Sequence, residues 1–366
     1  MECREIVEFM DNLAPRKLAE GYDNVGLLVG SMRNKVERIL VSLDVTREVA
    51  EEAVARKADM IVSHHPVIFK ALKQVREDDA KGAVLYELIK NNISVYCAHT
   101  NLDVIENGVN ASLASKLGLK SLGPLKEHFA EPLYKIVVFV PEDSSEKVRE
   151  AMCSAGAGWI GNYSDCTFSM QGTGTFRPLE GTKPYMGETG KLEKAAEVRI
   201  ETIVPADRLK QVLDSMLQSH PYEEVAYDVY RTEAKGKTFA LGLFGKLDNS
   251  LSLKDFIEKV KSDLDTPAVR VIGSPGTDIS TVAVFCGSFD DDLAAVKRCG
   301  ADILVTGDIK YHTAADAAAE GLCIIDAGHF STEKLVLPVL ASQLRERFPG
   351  IDVVCNSVEK DPFIFY

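Results

Sequence analysis

The 366-residue chain has no apolar run near the roughly 18 residues that a membrane span requires, so no transmembrane segment is expected. It has no Cys-x-x-Cys pair: its eight cysteines, at 3, 97, 153, 166, 286, 299, 323 and 355, are scattered. That spacing supports neither a zinc finger nor a disulfide framework, and cysteines set in apolar strands, such as Cys97, Cys286 and Cys323, read as small reduced hydrophobes. Basic surplus is also missing. With 42 Lys and Arg against 55 Asp and Glu the net charge is -13, which argues against a non-specific nucleic-acid partner, because phosphate contacts need clustered cations. Finally, Met1-Glu2-Cys3-Arg4-Glu5 carries charge where a signal peptide needs an apolar core, so the expected compartment is the cytoplasm.

What is present is an ordinary globular composition, 46% apolar and 27% charged, in a chain too long for one core. Two domains, or one with a large insertion, follow from that length. A helical stripe over 2–13 leads to a Gly-rich turn at Gly21 to Gly26. Beyond it, strands at 38–45, 59–63 and 93–98 alternate with helices at 47–57, 79–91 and 109–117, the pattern of a parallel sheet with covered faces. The pattern changes between Gly118 and Pro132. From 134 to 230 the order is strand, helix, strands, helix, strand, which suits a small ferredoxin-like α+β unit, and Lys235-Gly236-Lys237 marks its exit. Alternation then resumes with strands 239–247, 281–286, 302–306, 322–326 and 351–355 and helices 252–264, 289–298, 313–319 and 331–347, the last expected to kink at Pro338. The expected segments are 1–125 and 235–366 as the two halves of one α/β domain, with 126–234 inserted between them.

Two glycine patterns are rejected as phosphate-binding loops. Gly156, Gly158 and Gly161 follow a helix where a dinucleotide fingerprint needs a strand, and Gly187 to Lys191 lacks the first glycine and the final Ser or Thr of a phosphate loop.

The chemistry concentrates where apolar strands end in polar groups: Ser63-His64-His65-Pro66, His99 with Asp103, Asp308, and Asp326 followed by His329 and Glu333. Ligands of open α/β sheets gather at the carboxyl ends of strands. Adjacent residues of a regular strand face opposite ways, so His64 and His65 can serve one pocket only if the chain leaves the strand there. Both halves repeat a strand with a polar tip, a helix and a second such strand, and a pseudo-two-fold repeat would bring the tips together. Imidazoles and carboxylates without thiolates suit divalent Zn, Mn, Fe or Ni. His64, His65, Asp103, His329 and Glu333 are the expected ligands, five side chains that leave open positions on a pair of ions and thereby suggest catalysis. His99 and Asp308 are the candidate proton carriers or orienters, although a strand end and a helix N-cap are equally good readings of them. His312 reads as structural, His128 as solvated in a charged linker, and His220 as shaping the turn before Pro221.

The stretches Leu43 to Thr46, Ser63 to Phe69, Ala98 to Asp103 and Gly328 to Glu333 resemble those of the NIF-three-like family, whose members are called type 2 GTP cyclohydrolase I homologues. The resemblance spans essentially the whole chain. Residues 156–163, 172–178 and 220–224 are similar to the PII/CutA-like domain that longer bacterial members carry in mid-chain. It implies a two-metal site held by His64, His65, Asp103, His329 and Glu333, and a toroidal homohexamer. The expected function is hydrolysis of a nucleotide or phosphoester. The alternative is a regulatory protein without turnover, in which the insert senses a small molecule or partner. No arginine cluster announces a triphosphate pocket.

Overall fold

The computed structural model describes residues 1–274, 276, 278–289 and 292–365. The chain divides into two compact units, one formed by Met1–Phe129 with Phe239–Tyr366 and the other by Ala130–Thr238. In chain order the strands are β1 Gly26–Val29, β2 Arg38–Ser42, β3 Met60–Ser63, β4 Ser94–Cys97, β5 Lys120–Pro141, β6 Thr167–Phe176, β7 Glu193–Pro205, β8 Tyr227–Leu251, β9 Arg270–Ile272, β10 Ile279–Ser288, β11 Ile303–Gly307, β12 Ile324–Asp326 and β13 Asp352–Cys355.

The first unit is mixed α/β. One sheet has the order β1-β4-β3-β2-β13, with β2, β3, β4 and β13 parallel and β1 antiparallel at the edge. Its strands read as unbroken apolar runs because both faces are covered, and alternate residues divide between two cores. Ile39, Val41, Met60, Val62 and Tyr96 point into one, and Leu40, Ile61 and Val95 into the other. The second sheet of this unit sets β10, β11 and β12 in parallel, with β8 antiparallel to β10 and β9 antiparallel to β12. Register aligns the carboxyl ends: Ser42 pairs with Ser63 and Ser63 with Cys97, while Thr306 pairs with Asp326. The polar tips of neighbouring strands therefore emerge at one level.

The second unit is an α+β layer. Strands β6, β7 and the later part of β5 pair antiparallel. One face of that sheet, through Ile136, Val138, Val140, Val198 and Ile200, packs on Val148, Met152, Val212 and Met216 of helices Ser145–Ser154 and Leu209–Ser219.

Several expectations change. The region 118–132 belongs largely to β5, which runs through Pro124 and Pro132, since proline's fixed φ suits extended backbone wherever its missing N–H is not needed. Lys235-Gly236-Lys237, expected to mark the exit of the inserted unit, lies inside β8 just before that unit ends at Thr238; a Cβ on Gly236 would come within 3.2 Å of the Glu131 carbonyl, so close cross-strand approach explains that glycine. The stretch expected as one kinked helix over 331–347 is two helices, His329–Glu333 and Val336–Arg347. Pro338 sits in the first turn of the second, where its N–H would have no intrahelical partner. The helix expected over 289–298 is observed as Leu293–Cys299, and residues 290 and 291 lie outside the described residues. Edge strands β1 and β9 were not expected. His128 is half-buried, not solvated: its Nε2 donates to the Leu18 carbonyl at 2.7 Å.

Candidate metal centre

The site begins where β3 stops. Past Ser63 the backbone amides of His64 and His65 still donate to the carbonyls of Ser42 at 3.1 Å and Leu43 at 2.7 Å, but the rings lie together, with centroids 5.0 Å apart. His99, just beyond β4, places its ring 5.2 Å from that of His64 and 5.5 Å from that of His65. His329 opens the short helix after β12, 5.3 Å from the His65 ring. One helical turn later, Glu333 Oε2 meets His65 Nε2 at 2.9 Å and His329 Nε2 at 3.0 Å. Residues 268 positions apart are thus in direct contact.

Each imidazole is held from behind by its Nδ1. His64 donates to the Ala98 carbonyl at 2.9 Å, His65 to Asp44 at 2.9 Å, His99 to Asp23 at 2.8 Å and His329 to Asp308 at 2.8 Å. Anchoring every ring this way fixes the tautomer and directs Nε2 inward, the arrangement by which proteins orient metal-binding histidines. His64 Nε2 is buried and unpartnered: Asp103 lies 3.6 Å away and Glu333 3.8 Å, both beyond hydrogen bonding. A buried polar atom left unpaired among inward-facing donors fits a cation.

The electrostatics point the same way. Burial works against a charged His65, yet the hydrogen bonds to Asp44 and Glu333 outweigh it and raise its pKa to about 10. Burial likewise opposes a charged His329, which Glu333 and Asp308 raise to about 9. Desolvation would raise Glu333, but its imidazole neighbours, His329 first, hold it well below the usual carboxylate range. Asp103 is pushed up, by burial and then by the Glu333 charge. Surplus negative charge held in a dry site draws protons when no cation is there, and a cation would displace them. Two sets of donors, His64, His65 and His99, and His65, His329 and Glu333, each lie within 4.8 Å of one another and can hold a metal ion.

The structure therefore brings together His64, His65, Asp103, His329 and Glu333, with His99 beside His64 and His65 as a third potential ligand and Asp308 behind His329. His312 is exposed and meets the Tyr311 ring edge-on, and His220 shapes its turn, accepting from the Tyr222 amide and donating to the Phe139 carbonyl. Sequence reading passed over three groups that matter. The Asp23 side chain is buried, which works against its charge, yet the hydrogen bonds it takes from His99 and Thr100 lower its pKa to about 2. Asp44 carries His65. The signal for Asp44 was its place at the tip of β2, one register step from His64; Asp23 sits in a loop and gave none. Gly287 is a third. Its φ is +62°, and a Cβ there would stand 2.1 Å from Glu333 Oε1, so only glycine leaves room for the carboxylate. Asn110 ties the two sequence segments of the first unit, donating to the Asp103 carbonyl at 3.0 Å and accepting from the Cys286 amide at 2.9 Å.

A family model described as Duf34/NIF3 (NGG1p interacting factor 3) matches residues 1–362. A Halalkalibacterium halodurans protein named GTP cyclohydrolase 1 type 2 homolog is 43% identical over 364 residues, covering 98% of each chain. One of the same name from Bacillus subtilis is 39% identical over 365 residues, covering 99% of this chain and 98% of its own. Among solved structures, a Bacillus cereus protein related to NIF3 superposes with a TM-score of 0.90 at 43% identity, over 100% of this chain and 99% of that one. A Staphylococcus aureus protein superposes with a TM-score of 0.84 at 31% identity, over the same shares.

Proposed function

The chain belongs to the Duf34/NIF3 family, and on that premise we propose that His64, His65, Asp103, His329 and Glu333 bind two divalent metal ions and that the protein is a metal-dependent hydrolase. The observation that carries this reading is the set of four imidazoles anchored at Nδ1, three of which, His64, His65 and His329, turn Nε2 toward the Glu333 carboxylate. The donors spread over the two triads, more than one ion would take, favour a pair of ions over one, with His65 serving only one of them through its single free nitrogen. Zinc is the expected occupant, and manganese, iron or nickel suits the same donors. Ions bound there would supply Lewis acidity for attack by water on a nucleotide ring carbon or a phosphoester. The substrate class follows the relatives' name, GTP cyclohydrolase 1 type 2 homolog.

The chain's own groups have separable tasks in this reading. Asp44 and the Ala98 carbonyl hold the rings of His65 and His64 in place. Asp308 does so for His329 and stands near enough to pass a proton through it. His99, backed by Asp23, keeps its Nε2 available to take a proton from water or return it to a leaving group. The same proposal takes 126–234 as a PII/CutA-like insertion and the flanks as pseudo-symmetric halves, supported by the parallel triplets β2-β3-β4 and β10-β11-β12. It places six chains in a cytoplasmic toroid.

The test is metal analysis of the purified protein together with a screen of nucleotides and phosphoesters. Stoichiometric metal and turnover that vanish together in His64→Ala are the expected result. Turnover undiminished in that variant would remove the site from the reaction.

A further inference from the structure

At the tip of β12 a buried carboxylate that is not among the metal donors holds the backbone beside His329 and beside its anchor, Asp308. Asp326 is 4% exposed. Its Oδ1 accepts from the Gly328 amide at 3.0 Å, closing the turn from which His329 starts its helix. Its Oδ2 accepts at 3.0 Å from the amide of Ile309, the residue after Asp308. Arg270 completes the grip: its Nη2 donates to Asp326 Oδ2 and, at 3.3 Å, to the Ile309 carbonyl. Edge strand β9 delivers that arginine, since Arg270 pairs directly with Asp326.

The need for such a grip follows from the backbone of Asp308. Its φ is +50°, in the left-handed region that a residue with a Cβ, even the more tolerant aspartate, keeps only where its surroundings hold it. In that conformation the Asp308 carboxylate meets His329 Nδ1 at 2.8 Å. With the N–H and the C=O of Ile309 both taken, the chain after Asp308 is held against relaxing. One carboxylate thus sets two placements at once, His329 through Gly328 and the anchor behind its ring through Ile309. The same device recurs at the tip of β2, where Glu359 accepts from the amides of Leu43 and Asp44, and Asp44 anchors His65. A carboxylate gripping two amides is not in itself special: Asp302 takes those of Ser280 at 2.9 Å and Thr281 at 2.8 Å at the opposite end of the same sheet. What sets Asp326 apart is which amides it holds.

We propose that Asp326 is a positioning residue of the metal centre, holding Asp308 and His329 in place so that His329 Nε2 is presented to a divalent cation. This role presupposes the metal-centre reading, and the experiment separates the two. Zinc affinity of the full chain is measured in competition with a chelator, cobalt(II) is titrated with its visible absorption recorded, and the melting temperature is followed without metal. Asp326→Asn, equal in size but without the charge, should lower zinc affinity about tenfold or more and change the cobalt spectrum, which reports the geometry around the ion. Asp302→Asn should also lower the melting temperature, yet leave zinc affinity within about twofold and the cobalt spectrum unchanged. Arg270→Gln, at an exposed position, frees the Ile309 carbonyl but leaves both amides on Asp326, and should lower zinc affinity about threefold. If Asp326→Asn does not fold, that variant decides, and unchanged affinity in it overturns the proposal. Wild-type affinity and spectrum in folded Asp326→Asn, or a loss no greater than in Asp302→Asn, overturns it while the metal centre stands. A wild-type chain that takes up neither zinc nor cobalt overturns the metal-centre reading and the role of Asp326 with it.

Discussion

The two units of this chain solve the same problem in opposite ways. In the first, parallel strands β2, β3 and β4 are covered on both faces, so side chains along their length are spent on packing and chemistry is left to the strand ends. In the second, an antiparallel sheet is covered on one face only, and the other carries polar and aromatic groups across its middle. Sheet type thus decides where a site can lie: at the tips where both faces are closed, on the face where one is open. The groups differ too. The tip site joins four imidazoles, each held at Nδ1 by a carboxylate or a carbonyl, whereas the open face of the second unit carries aromatic rings around a cavity.

The sharpest way to break the contrast is to spoil the tip site without touching a donor. Gly287→Ala forces a Cβ to within 2.1 Å of Glu333 Oε1 and places alanine at φ +62°, costing about 1–3 kcal/mol of backbone strain if the fold holds. Bound metal should be lost and the melting temperature lowered, read by metal analysis and calorimetry. A smaller effect is expected from Asp44→Asn, which keeps the shape behind His65 but removes the carboxylate charge. Metal affinity should fall about 10- to 100-fold in competition with a chelator, as for other partners of metal-binding histidines. Full affinity in that variant would mean that His65 needs no anchor.

The smallest effect belongs to the second unit. Burial lowers the His220 pKa below its ordinary 6.5, against the opposing influence of the Phe139 carbonyl and Glu197. The unfolded chain therefore takes up a proton first as pH falls, and stability that is full above 6.5 declines below it until the folded imidazole also titrates. Protection factors of β7 amides, exchange rates corrected for their intrinsic pH dependence, should fall between pH 7.5 and 5.5, and the slope should flatten in His220→Gln. An unchanged slope would leave His220 without influence on that unit's stability.

Much of the tip site was legible because strand ends write themselves into sequence: an apolar run, then His64-His65, or His99, or Asp308. The helix spacing of His329 and Glu333 was legible for the same local reason. What supports them was not, since a loop residue such as Asp23 acquires meaning only when His99 arrives from 76 positions away. The long strands were misread at Pro124, Pro132 and Gly236 because punctuation residues also serve close packing. The cavity on the second unit's sheet was invisible, as its lining is assembled by strand register that no local pattern reveals.

The contact between His65 and Glu333 has a consequence during synthesis. A ribosome makes the paired histidines early and their carboxylate partner some 268 residues later, so the growing chain carries half a binding pocket for most of its elongation. Closing so long a loop adds only modestly to the entropic cost, because that cost rises with the logarithm of length, but it delays assembly. The full set of donors is thereby present only in finished molecules, and a chain cut short before Glu333 would expose the imidazoles without their carboxylate partner.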